Sequence, residues 1–182
     1  MQTLNTEQLL AGLDEVRASP ADGGALNMIV RRPRSDEREE IEIGNLTRAV
    51  GLEGDDWCNR GSSRTTDGGP HPDMQVTIIN RRFLQLIAVD PDRMVLAGDQ
   101  LVADFDLSEL NLPAGTQISI GDATLEITSQ PHTGCRKFSA RFGVDALRLV
   151  NSPVGRELRL RGVNAKVMNP GTIRVGDTID KL

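Results

Sequence analysis

The sequence predicts a mainly β domain, a barrel or closed sheet with a few short helices, and three observations carry that prediction. Short aliphatic and β-branched runs recur along the chain, bounded by Gly, Asp, Asn and Pro. Helical periodicity is confined to three brief stretches. Aromatic residues make up 3% of the chain and tyrosine is absent, so the core has to be built from Leu, Ile, Val and Ala.

In chain order, residues 6–18 (TEQLLAGLDEVRA) place Leu9, Leu10, Leu13 and Val16 on one helical face, with Asn5 or Thr6 as N-cap and Pro20 as the stop. ALNMIV (25–30) and EEIEIG (39–44) read as strands, and the charged connection RRPRSDEREE (31–40) reads most simply as a solvated loop. Residues 51–72 have no period at all. A loop of that length inside a compact domain is often functional or mobile.

MQVTII (74–79) is the next strand, followed by a helix over 80–90 with Asn80 as cap. QLVADF (100–105) is a strand, and TQISIGDATLEITS (116–129) is a hairpin turning at Gly121-Asp122. VDALRLVN (144–151) is a short helix. ELRLRGVNAKVM (157–168) and TIRVGDTI (172–179) are expected as a closing strand pair, turned at Asn169-Pro170-Gly171. The division is an N-terminal helical extension over residues 1–24 and one β-barrel domain over 25–182.

Hydrophobic residues at 38% and charged residues at 26% are ordinary for a globular chain and exclude a disordered one. No apolar run approaches the roughly 20 residues that cross a bilayer, and the first ten residues lack a signal-peptide pattern. A cytoplasmic location is the expectation, with Cys58 and Cys135 as thiols rather than a disulfide. The two cysteines and two histidines lack the spacing of a zinc site.

A net charge of −5 argues against general nucleic-acid affinity, and four Phe and one Trp leave little for base stacking. That average hides an asymmetry. Residues 131–174 hold Arg136, Lys137, Arg141, Arg148, Arg156, Arg159, Arg161, Lys166 and Arg174 against Asp145 and Glu157, a local +7 that leaves −12 on the rest. Two readings stand: a bounded anion site, or a solvated face whose acidic partners come from elsewhere. Four Gly-Asp pairs, at 54–55, 98–99, 121–122 and 176–177, read first as turn chemistry.

Cys135 sits in SQPHTGCRKFSARFG (129–143), beside Arg136 and Lys137 and six residues before Arg141. Nearby cations favour the thiolate, which is the nucleophile and the metal ligand. A helical turn starting here adds free backbone amides that favour an anion. His132, with Asp99 or Asp145 orienting it, is a competing base for hydrolysis. The structural alternative is a loop cysteine among solvated cations.

ITSQPHTGCRKFSARFG (127–143) resembles the cysteine segment of MOSC domains, named after the C-terminal part of molybdenum cofactor sulfurases. Three more stretches are similar to the family's pattern in the same order: GLEGDDW (51–57), the run from Leu96 to Thr128, and NAKVMNPGTIRVGDTI (164–179). Together they span roughly residues 45–180. The resemblance implies a barrel like that of the pyruvate-kinase β-barrel domain, and molybdenum-cofactor or sulfur chemistry. It assigns Cys135 as the catalytic residue and the metal or sulfur ligand. His132, Thr133, Arg136, Lys137, Arg141 and Asp55 follow as cofactor-binding positions.

Some family members are fused to a pyridoxal-phosphate-dependent desulfurase. Others reduce N-hydroxylated compounds, as do the 6-N-hydroxylaminopurine resistance proteins and the mitochondrial amidoxime-reducing component. The resemblance therefore implies a partner, either a sulfur-donating desulfurase or an electron-donor protein. Two positions depart from the pattern: His132 stands where relatives often carry Arg, and Asp56-Trp57 where they carry His. Three functional readings remain: a protein that binds molybdenum cofactor or carries sulfur through Cys135, a molybdenum-dependent reductase of N-hydroxylated bases or amidoximes, and a non-catalytic anion-binding module.

Overall fold

Strands close into a barrel in the computed structural model, which describes residues 3–182. In chain order they are β1 (Gly24–Arg31), β2 (Glu39–Ile41), β3 (Ile43–Thr47), β4 (Gly51–Leu52), β5 (Val76–Asn80), β6 (Leu101–Asp104), β7 (Gln117–Ile120), β8 (Ala123–Ile127), β9 (Val163–Asn169), β10 (Gly171–Arg174) and β11 (Thr178–Lys181). The ring runs β11, β7, β8, β9, β5, β6, β1 and back to β11. Only β5 and β6 pair in parallel within it.

Closure is achieved on β1. One of its edges is taken by β6, while the other is divided, with Gly24 and Ala25 pairing to β11 and Ile29 to Arg31 pairing to β2. A ring of this kind leaves no long unpaired edge among its seven strands. A second, three-stranded sheet is formed by β10, β3 and β4.

The helices are α1 (Thr6–Ala11), α2 (Leu13–Arg17), α3 (Arg81–Ala88), α4 (Arg136–Phe142), α5 (Val144–Asn151) and α6 (Pro153–Glu157). They cover one outer wall of the barrel. Alternation along β5 and β6 decides which residue goes where. Val76, Ile78, Leu101 and Ala103 fill the barrel interior, whereas Ile79 and Val102 pack outward against Leu9, Leu13, Phe83, Phe138, Phe142 and Leu149. Burial on both faces explains why MQVTII reads as a continuous apolar run. Met1 and Gln2 of the expected extension lie outside the described residues.

Four stretches differ from expectation, each for a local reason. The helix over 6–18 is two helices joined at Gly12, a residue that weakens helical continuity. EEIEIG divides at Glu42, so that β2 extends the barrel sheet and β3 joins the second sheet. In ELRLRGVNAKVM only the second half is strand. Ser152 caps α6 by accepting from the Gly155 amide, Pro153 occupies its first position, and the chain turns through Gly162 before β9 begins. TIRVGDTI breaks at Gly176-Asp177 into β10, which pairs with β3, and β11, which pairs with β7 and β1. The expected β9–β10 strand pair does not form.

The hairpin of β7 and β8 and the α5 helix fall where the sequence places them. So does the cap of α3. Asn80 Oδ1 accepts from the Phe83 amide at 2.9 Å, and its Nδ2 donates to Ser19 Oγ and to the Phe105 carbonyl, each at 2.8 Å. This buried amide thus ties the helix start to the N-terminal segment and to the residue after β6. Replacing Asn80 with Ala removes a cap worth about 1 kcal/mol and strands a buried carbonyl at a further ~1–3 kcal/mol. Chemical denaturation is expected to show a loss of about 2–4 kcal/mol, and a loss below about 0.5 kcal/mol would contradict the assignment.

Candidate functional site

Two buried ion pairs lie at one end of the barrel, on either side of the segment Gly98–Gln100. Arg161 Nη1 donates to both Asp99 oxygens at 2.9 and 2.7 Å, with the side chains 9% and 0% exposed. Arg32 grips Asp55 bidentately, Nε to Oδ2 at 2.7 Å and Nη2 to Oδ1 at 2.8 Å, with side chains 12% and 0% exposed. Arg32 Nη1 also donates to the Gly98 carbonyl at 2.9 Å. Gln100, fully buried, takes the Thr77 amide and hydroxyl on Oε1 and reaches the Gln75 carbonyl with Nε2.

The backbone that places these groups depends on two glycines. Gly98 has φ +82°, and a Cβ there would come within 3.2 Å of Arg38 Nη2 and 3.7 Å of Arg141 Nη1. Gly162, with φ +101°, passes so close to β5 that a Cβ would meet the Ile78 carbonyl oxygen at 2.3 Å. Glycine alone tolerates both the dihedral and the approach. Arg161 is therefore delivered from a tight turn onto Asp99. Its guanidinium also lies over the Phe138 ring of α4, 5.2 Å from the centroid, which fastens the helix headed by Cys135 to the buried pair.

Among the described residues, four buried side-chain atoms have no hydrogen-bond partner: Arg38 Nε, His132 Nδ1, Arg161 Nε and Asn164 Oδ1. All four residues surround the same barrel end. His132 Nδ1 stands 3.4 Å from Asp99 Oδ1 without making a hydrogen bond. Burial lowers the His132 pKa well below 6.5, and Arg161, Arg32 and Arg64 push the same way, so the imidazole is neutral at pH 7. Burial also pushes the Arg38 guanidinium down, as do the charges of Arg141, Arg32 and Arg60. The Asp99 carboxyl is raised by burial against the pull of Arg161. Buried polar groups are normally satisfied, so four orphans gathered in one place make this barrel end the candidate site.

Two cavities adjoin the cluster and share His132 and Asn164 as a common wall. The smaller, ≈ 240 Å³, is lined by Arg32, Trp57, Arg60, His71, Met74 and Thr77 among others. The larger, ≈ 450 Å³, lies along residues 128–133 and the turn from Gly155 to Asn164.

The positions expected from the sequence are distributed as follows. Cys135 is exposed, precedes α4 in extended conformation and lines neither of these cavities. Thr133, also exposed, lines the larger one, and His132 lines both. Lys137 Nζ and Arg141 Nη2 meet Asp36 at 2.9 and 3.1 Å, and Arg141 Nη1 donates to the Leu96 carbonyl at 2.8 Å. Arg136 is exposed. Asp55, its side chain fully buried, fixes Arg32. Of the two proposed orienters of His132, Asp99 is adjacent, whereas Asp145 pairs with Arg148. No hydrogen bond joins His132 to Cys135 among the described residues. Cys58 is a free, half-buried thiol.

Arg32, Arg38 and Arg60 escaped the sequence reading. The connection 31–40 is not wholly solvated, because Arg32 and Arg38 turn inward. The signal that could have found them is the density of arginine there, four in eight residues from Arg31 to Arg38. The basic segment 131–174 divides between surface ion pairs and this cluster. Arg148 and Lys166 pair with Asp145 and Glu126 on the surface, while Arg161 and Arg141 enter the cluster.

A closed barrel, flanked by helices and carrying a cationic cluster against the helix that an exposed cysteine heads, defines the class of protein. The chain belongs to the MOSC family: the family model described as "MOSC domain" matches residues 71–180. That family is linked in general to molybdenum-cofactor binding. The YUAD protein from Bacillus subtilis superposes with a TM-score of 0.63 at 14% identity, covering 87% of this chain and 94% of that one. YiiM from Escherichia coli gives 0.56 at 20% identity over 87% and 69% of the two chains. YiiM from Geobacillus stearothermophilus gives 0.54 at 11% identity over 90% and 74%. At these identities the likeness establishes the fold. No curated protein matches in sequence.

Neutral His132 has a pH consequence. Its folded pKa lies below the 6.5 of the free side chain, so the unfolded chain takes up a proton first and stability falls as pH drops below 6.5. The slope contributed is at most about 1.4 kcal/mol per pH unit. Denaturation from pH 7 to 5 is expected to show a shallower decline in His132→Asn than in the parent protein; equal slopes would refute a neutral, buried His132.

Proposed function

We propose that this protein binds an anionic molybdenum cofactor over the arginine cluster and uses the Cys135 thiolate as its ligand to the metal or as the carrier of sulfur. The observation that carries this reading is the set of orphaned buried atoms around Gly98–Gln100, on a framework whose charges are otherwise matched in pairs.

The residues fit such a group in two respects. Arg38 is half-buried among Arg141, Arg32 and Arg60, a density of cations that an anionic head group relieves. Arg is suited to the task because its planar fork grips oxyanions bidentately and keeps its charge. Cys135 is exposed, and its helix is anchored to the cluster through Phe138 and Arg161. Among the described residues no three His, Cys, Asp or Glu side chains gather around a common point, so one thiolate plus a ligand brought by the cofactor suits this chain better than an all-protein metal cage.

When bound, molybdenum cofactor supplies a metal that takes sulfur ligands and exchanges electron pairs with a substrate. The chain's part is narrower. Asp55 and Asp99 hold Arg32 and Arg161 in place, Arg38 and Arg60 meet the anion, and neutral His132 offers a nitrogen without adding charge. A sulfur donor or an electron-donor protein completes the reaction. The same cluster supports the plainer reading of an anion-binding module, from which the Cys135 requirement separates it.

Protein purified anaerobically from cells that make the cofactor is expected to carry near-stoichiometric molybdenum and pterin. Cys135→Ser is expected to lose the metal, and Arg38→Gln to lose cofactor at least about tenfold in affinity with the fold intact by circular dichroism. Equal molybdenum in the parent and Cys135→Ser, or none in either, overturns the reading. Pterin retained without metal in Cys135→Ser still supports the arginine half of it.

A further inference from the structure

We propose that the larger cavity is a second ligand site, adjoining the arginine cluster and sharing Arg161 with it, for a small organic anion that also carries a hydrogen-bond donor. Its volume of ≈ 450 Å³ lies within the range of about 300–1,000 Å³ typical of small-molecule sites. Its wall combines three kinds of chemistry that together describe one class of occupant.

The first is positive charge. Arg156, Arg159 and Arg161 all line the cavity, against Glu109 as the one acidic lining residue. Asp99 answers Arg161, but neither Arg156 nor Arg159 makes an ion pair among the described residues. Arg159 donates to the Leu112 carbonyl and is otherwise half-buried, and burial lowers its pKa. A half-buried guanidinium that Glu109 answers only through space, with no ion-pair contact, favours an anion beside it.

The second is the unsatisfied atoms. Asn164 is fully buried with Oδ1 unpartnered, its Nδ2 already spent on the Gln130 carbonyl. An unpaired amide oxygen there calls for an N–H or O–H on the ligand. Arg161, 8% exposed, keeps an unpartnered Nε on the same wall. The third is an apolar surface, Val150 and Val163, suited to a hydrocarbon or ring body. Arg159 is also held at φ +47°, a conformation that residues other than glycine rarely adopt and that accumulates at functional sites.

The occupant is thus a compact molecule with a carboxylate or phosphate head, an apolar body and a donor group. His132 and Asn164 form the partition with the smaller cavity, so such a ligand would meet the cluster at Arg161 without entering the smaller cavity. The inference stands on the cavity alone and does not depend on molybdenum.

Calorimetric titration of the purified protein tests it with 4-hydroxybenzoate, 4-hydroxyphenyl phosphate and the uncharged 4-hydroxybenzamide. Saturable 1:1 binding of one of the anions is expected, with the amide at least about tenfold weaker. The tighter of the two anions identifies the head group. Arg156→Glu, an exposed substitution that leaves the fold alone, is expected to weaken the anion at least about tenfold, and Asn164→Asp to do the same by placing a negative charge on the wall. Absence of saturation by either anion at millimolar concentration overturns the proposal. So does binding that survives Arg156→Glu but is lost in Arg38→Gln, because that pattern assigns the probe to the arginine cluster instead.

Discussion

The Asp99–Arg161 ion pair is the interaction on which the rest of this site depends. Both side chains are removed from water, and desolvating two charges is costly unless geometry and further contacts compensate. Here the compensation comes from two oxygens facing one guanidinium nitrogen, the Phe138 ring beneath the guanidinium, and the Ala97 carbonyl that Arg161 Nη2 reaches. Loss of one partner would strand the other in a low-dielectric end of the barrel. Replacing such a pair with apolar residues is often neutral or stabilising, so its place in this molecule is better explained by what it positions than by stability.

What it positions is a junction. Asp99 follows directly on Gly98, whose carbonyl receives Arg32, and precedes Gln100, which ties β5 to Asp55. Arg161 reaches the same point from the turn before β9 and touches α4. One pair therefore brings together the loop after β1, the long loop around Asp55, the barrel strands and the cysteine-bearing helix. The parallel pairing of β5 with β6 contributes, because the crossover through α3 returns the chain at Gly98 on the barrel end where β5 begins. The barrel supplies rigidity and the loops supply cations, a common division of labour between scaffold and site.

Sequence reasoning found the parts of this architecture that are locally encoded. The β7–β8 hairpin alternates apolar and polar residues around a Gly-Asp turn, and Asn80 announces α3 by its own side chain. Where a local pattern was ambiguous the tertiary context decided. ELRLRG alternates like a strand, yet the Ser152-Pro153 start and the Gly162 turn make it helix and turn. Of the four Gly-Asp pairs, all four glycines have positive φ as turn chemistry predicts, but Asp55 and Asp99 are buried on arginines whereas Asp122 is exposed. Cys135 was visible because its cationic neighbours are adjacent in sequence. Arg32 was not, because its partners Asp55 and Gly98 lie 23 and 66 residues away, and neither was Arg38, which only folding brings beside Gly98.

A crystal structure of protein isolated anaerobically from cells that make molybdenum cofactor would test the central claim most directly, by showing what meets Arg38 and Arg161. The account predicts an anionic group of the cofactor within hydrogen-bond distance of the Arg38 guanidinium, and a metal or an added sulfur on Cys135. Cofactor bound elsewhere on the barrel, or an Arg38 whose guanidinium is met only by carboxylates of the chain itself, would contradict it.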